Sequence, residues 1–385
     1  MLFLTACDDN PTDVGVDVGD TPLQGGEPVT LNLPPTTLTV SRRAPVSGAE
    51  GSNLPNRFFA GRVADPLAGT TEADGFLNVF QPVSQLSGTL MTDSFTDVSL
   101  RLEPISVYGD TTSSVTLALY DMPAPWEGAG VRSDTTLESG EQIMTFNLDP
   151  TEEETFVSLP QAWIQENTAV LRDTTDGGEA FLDAFPGFRI AHASGNAAVG
   201  FNRNDTALRV ATAQDTARFN GRVSLTTVER TPSEVLPEDR ALVQGGFGST
   251  LAFTYDFDAP PLDTLRGTPV NRAEFVLPVD TTLWSDFTPE GFVRPTPSSY
   301  TFTGISVDGE DTVSLASGVT VSDGSVRLTG GTPVRIFEEG FLRESAFSEF
   351  VVAPSATDDG TSQEMSLDVA LFRRLPSSSA DSSDT

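Results

Sequence analysis

The sequence predicts an all-β protein: two antiparallel β-sandwich domains with one or two short helices. Three observations carry that expectation. Apolar residues recur at every second position in one short stretch after another, the period of a strand with one buried and one solvated face. The 33 Gly and 27 Pro are scattered without period, as turns between short strands require. The 25 Phe, far outnumbering 3 Trp and 4 Tyr, supply the apolar mass of a folded core, and 385 residues allow two such cores.

In chain order, residues 1–7 read as the end of a lipoprotein signal peptide. Residues 8–57 read as an acidic Pro/Thr/Gly-rich tether that carries one strand, with Val29, Leu31 and Leu33 on one face, docking onto the first domain. The first sandwich spans 58–230. In TDVSLRLEP, Val98, Leu100 and Leu102 alternate with Ser99, Arg101 and Glu103; in SSVTLALYDM, Val115, Leu117 and Leu119 do the same. YGDTTS between them has the Gly and Asp of a tight connection. A helix is expected in FVSLPQAWIQENTAVLRD, where Leu159, Trp163 and Ile164 approach helical spacing, and a short second one in GEAFLDAF. Phe188, Ile190 and His192, a turn at Ser194-Gly195-Asn196, then Val199 and Phe201 read as a hairpin. TPSEVLPEDR makes 231–240 the linker, and 241–375 a second sandwich. There, Ala273, Phe275 and Leu277 alternate, Asp308-Gly309 and Asp323-Gly324 mark hairpin turns, and Met365, Leu367, Val369 and Leu371 share a face of the last strand. Residues 376–385 read as a disordered tail. Each half also runs from a Gly-containing apolar stretch to an alternating strand ending in Pro and on to a Trp; duplication and chance explain this equally well.

Charge excludes several functions. The 55 acids exceed the 22 bases, every one of them Arg, giving a net charge of −33. Nucleic acid is thereby excluded as an expected partner, because phosphate binding needs clustered cations. The absence of Lys excludes a Walker-type phosphate loop, a Schiff-base lysine and a Ser–Lys dyad. Acids spread along the whole chain fit a halophilic surface, whose self-repulsion salt screens, better than dedicated calcium loops. Two oxygen-rich loops are the candidates for structural calcium: Asp256 with Asp258, and Asp308 with Asp311. Neither matches a twelve-residue EF-hand loop, and no other cofactor is expected.

Leu4-Thr5-Ala6-Cys7 has lipobox form, with small residues before the only Cys of the chain. Cys7 is therefore the expected lipidation site and Asp8 and Asp9, just after it, a candidate sorting signal. Six residues without Lys or Arg are too few for a secretory signal, which places the expected start upstream of Met1. No segment is apolar enough to span a bilayer, so the lipid would be the anchor.

The stretches FFAGRVADPLAGTTEADGFLNVF, FPGFRIAHASGNAAVGFNRNDTALRV and ALVQGGFGSTLAFTYDFDAPPLDTLRGTPVNRAEFVLPV resemble blocks of a family of uncharacterised, domain-of-unknown-function lipoproteins of Gram-negative bacteria, in family order over residues 7 to 375. The resemblance implies β-sandwich domains at the outer membrane or cell surface, periplasm-facing or outward, and transfers no catalytic residues. VTLALYDMPAPWEG followed by a helix and FPGFRIA also resembles jelly-roll carbohydrate-binding modules.

Catalysis finds little support. The single His192 is in phase with Phe188 and Ile190 and reads as packed or hairpin-end, and no G-x-S-x-G occurs. Glu152-Glu153-Glu154 reads as a solvated acidic turn. Trp126 and Trp284 are the candidates for stacking on a sugar, with packing over a sandwich end as the alternative for each. The expectation is a non-enzymatic, lipid-anchored module that binds a glycan or an envelope protein or is structural. The alternative is a polysaccharide-acting hydrolase using a carboxylate pair.

Overall fold

The strands Arg57–Asp65 and Gly69–Val79 form the hairpin about which the first half is built. Asp65 turns it: one carboxylate oxygen accepts the N–H groups of Leu67 at 2.7 Å and Ala68 at 2.9 Å, the local bonding that suits Asp to turns. The structure is a computed structural model and describes residues 33, 35–42, 47–50, 56–86, 88–260, 262–267, 269–307, 311–342, 347–355 and 365–373. Cys7, Asp8, Asp9, Asp308, the Asp308-Gly309 turn and the 376–385 tail lie outside the described residues.

One edge of Gly69–Val79 is shared, pairing with Arg57–Asp65 and then with Phe188–Ser194, while the long strand Thr216–Pro232 follows the other edge. From Phe188–Ser194 the sheet continues through Val115–Asp121 to Gln142–Leu148. Where Thr216–Pro232 shifts register between Gly221 and Val223, it leaves the first layer; its start pairs with Ala207–Ala211, which leads to Asp97–Leu102 and Thr155–Ser158. The two layers enclose one apolar core, with Leu77, Leu117, Phe188 and Ile190 from one and Leu100, Leu208, Val210 and Phe219 from the other. The helix Gln161–Arg172 closes it with Trp163, Ile164 and Leu171, and the helix Glu179–Ala184 with Phe181. Both helices stand where the sequence places them.

Two expected adjacencies are corrected. Asp97–Leu102 and Val115–Asp121 do not meet across YGDTTS, because Pro104–Asp110 is itself a strand and the two lie in different layers. Phe188–Ser194 and Ala197–Asn202 are not paired with each other: the turn hands the chain to Arg57–Asp65 and Pro104–Asp110 instead. The strand Thr37–Arg42 pairs over six residues with Ser249–Thr254 in the second half; Val29 and Leu31 of the expected docking strand lie outside the described residues. Alternation reports that a strand has a buried face; it does not report which strand lies beside it.

In the second half, seven strands run in the order Thr37–Arg42, Ser249–Thr254, Phe347–Pro354, Ser299–Ser306, Thr312–Ser322, Ser325–Leu328, Phe275–Pro278. The Asp323-Gly324 turn forms as expected, both residues with positive φ (49° and 67°), joining Thr312–Ser322 to Ser325–Leu328. An aromatic cluster fills the space beside the sheet: Phe253, Tyr255, Phe275 and Phe350 pack on one another, and Tyr255 and Phe275 meet Phe337 of the helix Gly331–Phe341. Gly340 permits that approach, since a Cβ there would come within 2.5 Å of the Phe257 ring. The sequence reading did not place this helix, nor the short Thr89–Thr92 and Thr282–Asp286, so helices exceed the one or two expected.

Residues 231–240 connect Thr216–Pro232 to the strand Arg240–Gln244, which pairs with Val369–Arg373 as a two-stranded ribbon. This ribbon lies against the first half. Leu242, Met365, Leu367, Val369 and Leu371 share one buried cluster with Phe59, Val63, Tyr108, Ala198 and Val228. Pro34–Thr385 accordingly form one contact unit.

Candidate functional site

Two buried carboxylates fix the wall between the halves. Beyond its turn bonds, Asp65 accepts Tyr108 Oη at 2.8 Å and both Nε (2.6 Å) and Nη2 (2.8 Å) of Arg294, a bidentate pair with both side chains all but inaccessible. Burial alone would raise the Asp65 pKa. Arg294, the Ala68 N–H and Tyr108 outweigh it and hold the carboxyl below its ordinary value, while burial and Asp65 together push the Tyr108 phenol far up. Arg294 follows the two-residue strand Phe292–Val293, which pairs with Pro104–Asp110, so backbone and side chain of one short segment both grip the first half.

Asp280 does the same from the other side. Its Oδ2 accepts Arg240 Nε at 2.6 Å and Arg373 Nε at 3.2 Å, and its Oδ1 accepts the Thr282 N–H at 3.0 Å and hydroxyl at 2.7 Å. Burial opposes ionisation here too, but the bonds from Thr282, Arg373 and Arg240 prevail and leave the carboxyl well below its usual range. The anchored Thr282 begins the helix Thr282–Asp286, which carries Trp284.

Trp284 therefore stands on a fixed base. The Arg294 guanidinium lies 4.5 Å from its ring centroid. Its indole N–H is buried and has no hydrogen-bond partner. The side chain lines a cleft of about 580 Å³ together with Phe292, Tyr300 and the hydroxyl-bearing Thr288, Thr296 and Ser298. That is the size and chemistry of a small-ligand site, an apolar wall with a few convergent polar groups.

A second cleft, of about 540 Å³, opens on the outer face of the first sheet. It is lined by Arg42, Arg189, Arg230, Asp74, Asp134 and Glu229, among others. Asp74 is held by Arg189 through Nη2 at 2.6 Å and Nε at 3.1 Å. Burial nevertheless raises its pKa, and the nearby Glu72 and Glu229 push the same way against Arg189.

The other sequence candidates are placed as follows. Trp126 donates its indole N–H to Pro186 O at 2.9 Å, meets Phe76 edge-on at 6.1 Å and packs over Phe76, Met122 and Leu225; it lines neither cleft. His192 is half-buried at the end of its strand, with Nε2 3.1 Å from Gly195 O. Asp256 accepts the Asp258 N–H at 3.0 Å, and the Asp258 carboxylate is paired with Arg266. Asp311 donates its N–H to Ser306 Oγ at 2.9 Å. Among the described residues, no group of three or more His, Cys, Asp or Glu is arranged to hold a metal ion. Nor, among them, is any helix long and apolar enough to cross a membrane.

The sequence reading missed the Asp65–Arg294 pair, which joins residues 229 positions apart, and it missed the arginines of the second cleft. The one available signal was Pro66 directly after Asp65, a turn cue that says nothing of the partner.

No protein-family model matches the chain, and no curated protein matches it significantly. A crystal structure of a Parabacteroides distasonis protein assigned as secreted aligns over 87% of this chain and 88% of its own, at 9% identity and a TM-score of 0.20. A superposition of that quality carries no argument about fold or function.

Proposed function

We propose that this chain is a lipid-anchored envelope module of the outer membrane or cell surface that binds a glycan in the cleft beside Trp284 and does not act on it chemically. The observation that carries the binding reading is the Trp284 indole N–H, buried at the wall of a hydroxyl-lined cleft and lacking a partner. A buried donor without an acceptor costs about 1–3 kcal/mol, which a sugar oxygen would recover once the ring turns to present that N–H to the cleft. The aromatic wall offers the apolar contact that the C–H face of a pyranose needs. The family resemblance, with no catalytic residues to transfer, supports a module that binds.

The purified chain is expected to be retained by at least one member of a neutral polysaccharide panel without releasing new reducing ends. Trp284→Ala should lower that affinity at least tenfold, an indole's worth of contact, with the thermal melt serving as the folding control. New reducing ends would instead support a hydrolase, and no retention on any polysaccharide would remove the glycan reading.

The anchor rests on Leu4-Thr5-Ala6-Cys7. Cys7→Ala, made in the gene with its upstream start, should move the protein from the membrane to the soluble fraction, whereas replacing Asp8 and Asp9 should change only which membrane it reaches. Persistence of the Cys7→Ala protein in membranes, measured by fractionation, would end the lipid-anchor reading.

A further inference from the structure

We propose that the second cleft is a separate binding site for the carboxylate of an acidic sugar, held by Arg42 and Arg230. In a chain with 55 acids for 22 arginines, many arginines pair with carboxylates, although some, such as Arg172 and Arg218, donate to backbone carbonyls. Arg101, for example, sits between Glu103 and Glu154, and Arg240 between Asp239 and Asp280. Arg42 and Arg230 make no direct ion pair among the described residues, although the Asp65 charge acts on Arg230, and they converge on one ring, their guanidinium carbons 3.7 Å and 5.8 Å from the Phe247 centroid. Arg230 is fixed from behind, Nε and Nη2 donating to Ala68 O at 3.2 Å and 2.9 Å. Arg42 is exposed at the end of its docking strand. Two guanidiniums beside a cleft, neither directly paired with a carboxylate, form a fork for an oxyanion.

The remaining groups narrow the ligand. Asp134 and Glu229 line the same cleft, and a phosphate dianion would be repelled by them. A singly charged carboxylate on a polyhydroxylated ring suits both signs at once: the carboxylate accepts from the arginines, and ring hydroxyls donate to Asp134 and Glu229. Ser133 adds a hydroxyl on the cleft wall that is buried, 1% exposed, and without a partner. A uronic acid residue within a glycan has this chemistry. The inference deepens the glycan reading but uses a different cleft, so the two can fail separately.

The probe is a short oligogalacturonate, titrated calorimetrically into the full chain at 0.15 M NaCl beside its carboxyl-reduced, neutral counterpart. The charged oligomer should bind at least tenfold more tightly than the reduced one, and 1 M NaCl should weaken it as the screening length falls from about 8 Å to about 3 Å. Arg42→Gln and Arg230→Gln should each cost tenfold or more; Arg42 is exposed, so that variant tests the site without threatening the fold. Three results would overturn the proposal: no binding of the charged oligomer, equal affinity for both oligomers, or binding lost with Trp284→Ala and kept with Arg42→Gln. In the first case, neutral glycans retained at Trp284 would leave the other cleft's assignment standing.

Discussion

Asp65→Ala is expected to destabilise the protein by about 3–5 kcal/mol, the cost of leaving one member of a buried ion pair without its partner. The substitution strands the Arg294 guanidinium, whose Nε and Nη2 both donate to Asp65, and removes the acceptor of Tyr108 Oη and of two turn N–H groups. The loss is not confined to the hairpin. Arg294 belongs to the segment that holds Phe292–Val293 on the first sheet and lies over Trp284, so the second half loses one of its polar attachments to the first. Urea unfolding monitored separately at Trp163, in the first core, and at Trp284, by removing the other tryptophans, should therefore change from coincident transitions to displaced ones. Asp65→Asn, which keeps an acceptor and the shape, should cost less than Ala. A change below about 1 kcal/mol for Asp65→Ala would show that the pair contributes nothing beyond its own desolvation.

Acid is the second large lever. Both Asp65 and Asp280 have depressed pKa values in the folded protein, so each binds its proton more readily when unfolded, near the ordinary value of about 3.9. Their stabilisation is present in full above about pH 4 and is lost as pH falls through their folded values. Asp74 and Asp121, raised chiefly by burial, act in the opposite sense: their contribution is present below about pH 4 and lost as pH rises through their folded values. Protein and variant can be told apart by this signature. Asp280→Asn should cost about 1.5–3 kcal/mol at pH 7, the worth of hydrogen bonds to a charged group, with the difference from the parent protein shrinking steadily between pH 4 and pH 2. A difference that stays constant across that range would mean that Asp280 stabilises through its shape and not its charge.

Much of the fold class was legible because it follows from local chemistry. Period-two alternation identified the strands around Val98, Val115, Phe188 and Phe275, and Asp-Gly identified the turn at Asp323. Pro160 ahead of Trp163 and Ile164 announced the helix that closes the first core. What was not legible depended on partners distant in the chain. Nothing in SSVTLALYDM states that its neighbour is Phe188–Ser194 and not the alternating strand just before it. Gly331–Phe341 has Gly and Pro at its start and Gly340 near its end, residues that ordinarily break helices; here the Pro fits a first turn and the Gly a close ring contact. Of the site, Trp284 could be singled out as one of few Trp residues, yet its setting comes from Asp280 and Arg294, and one Asp among many carries no mark of burial.

The strand Thr37–Arg42 has a mechanical meaning. It enters the second sheet at an edge, so a pull along its axis loads six residue pairs at once, in shear, whereas a pull across it opens them one by one, as a zip. Its last residue is Arg42. Peeling the strand away would lift that guanidinium off Phe247 and unmake half of the cationic fork, while the layers around Leu77 and Phe219 carried none of the load. The pairing of this edge strand and the placement of Arg42 over Phe247 therefore stand or fall together.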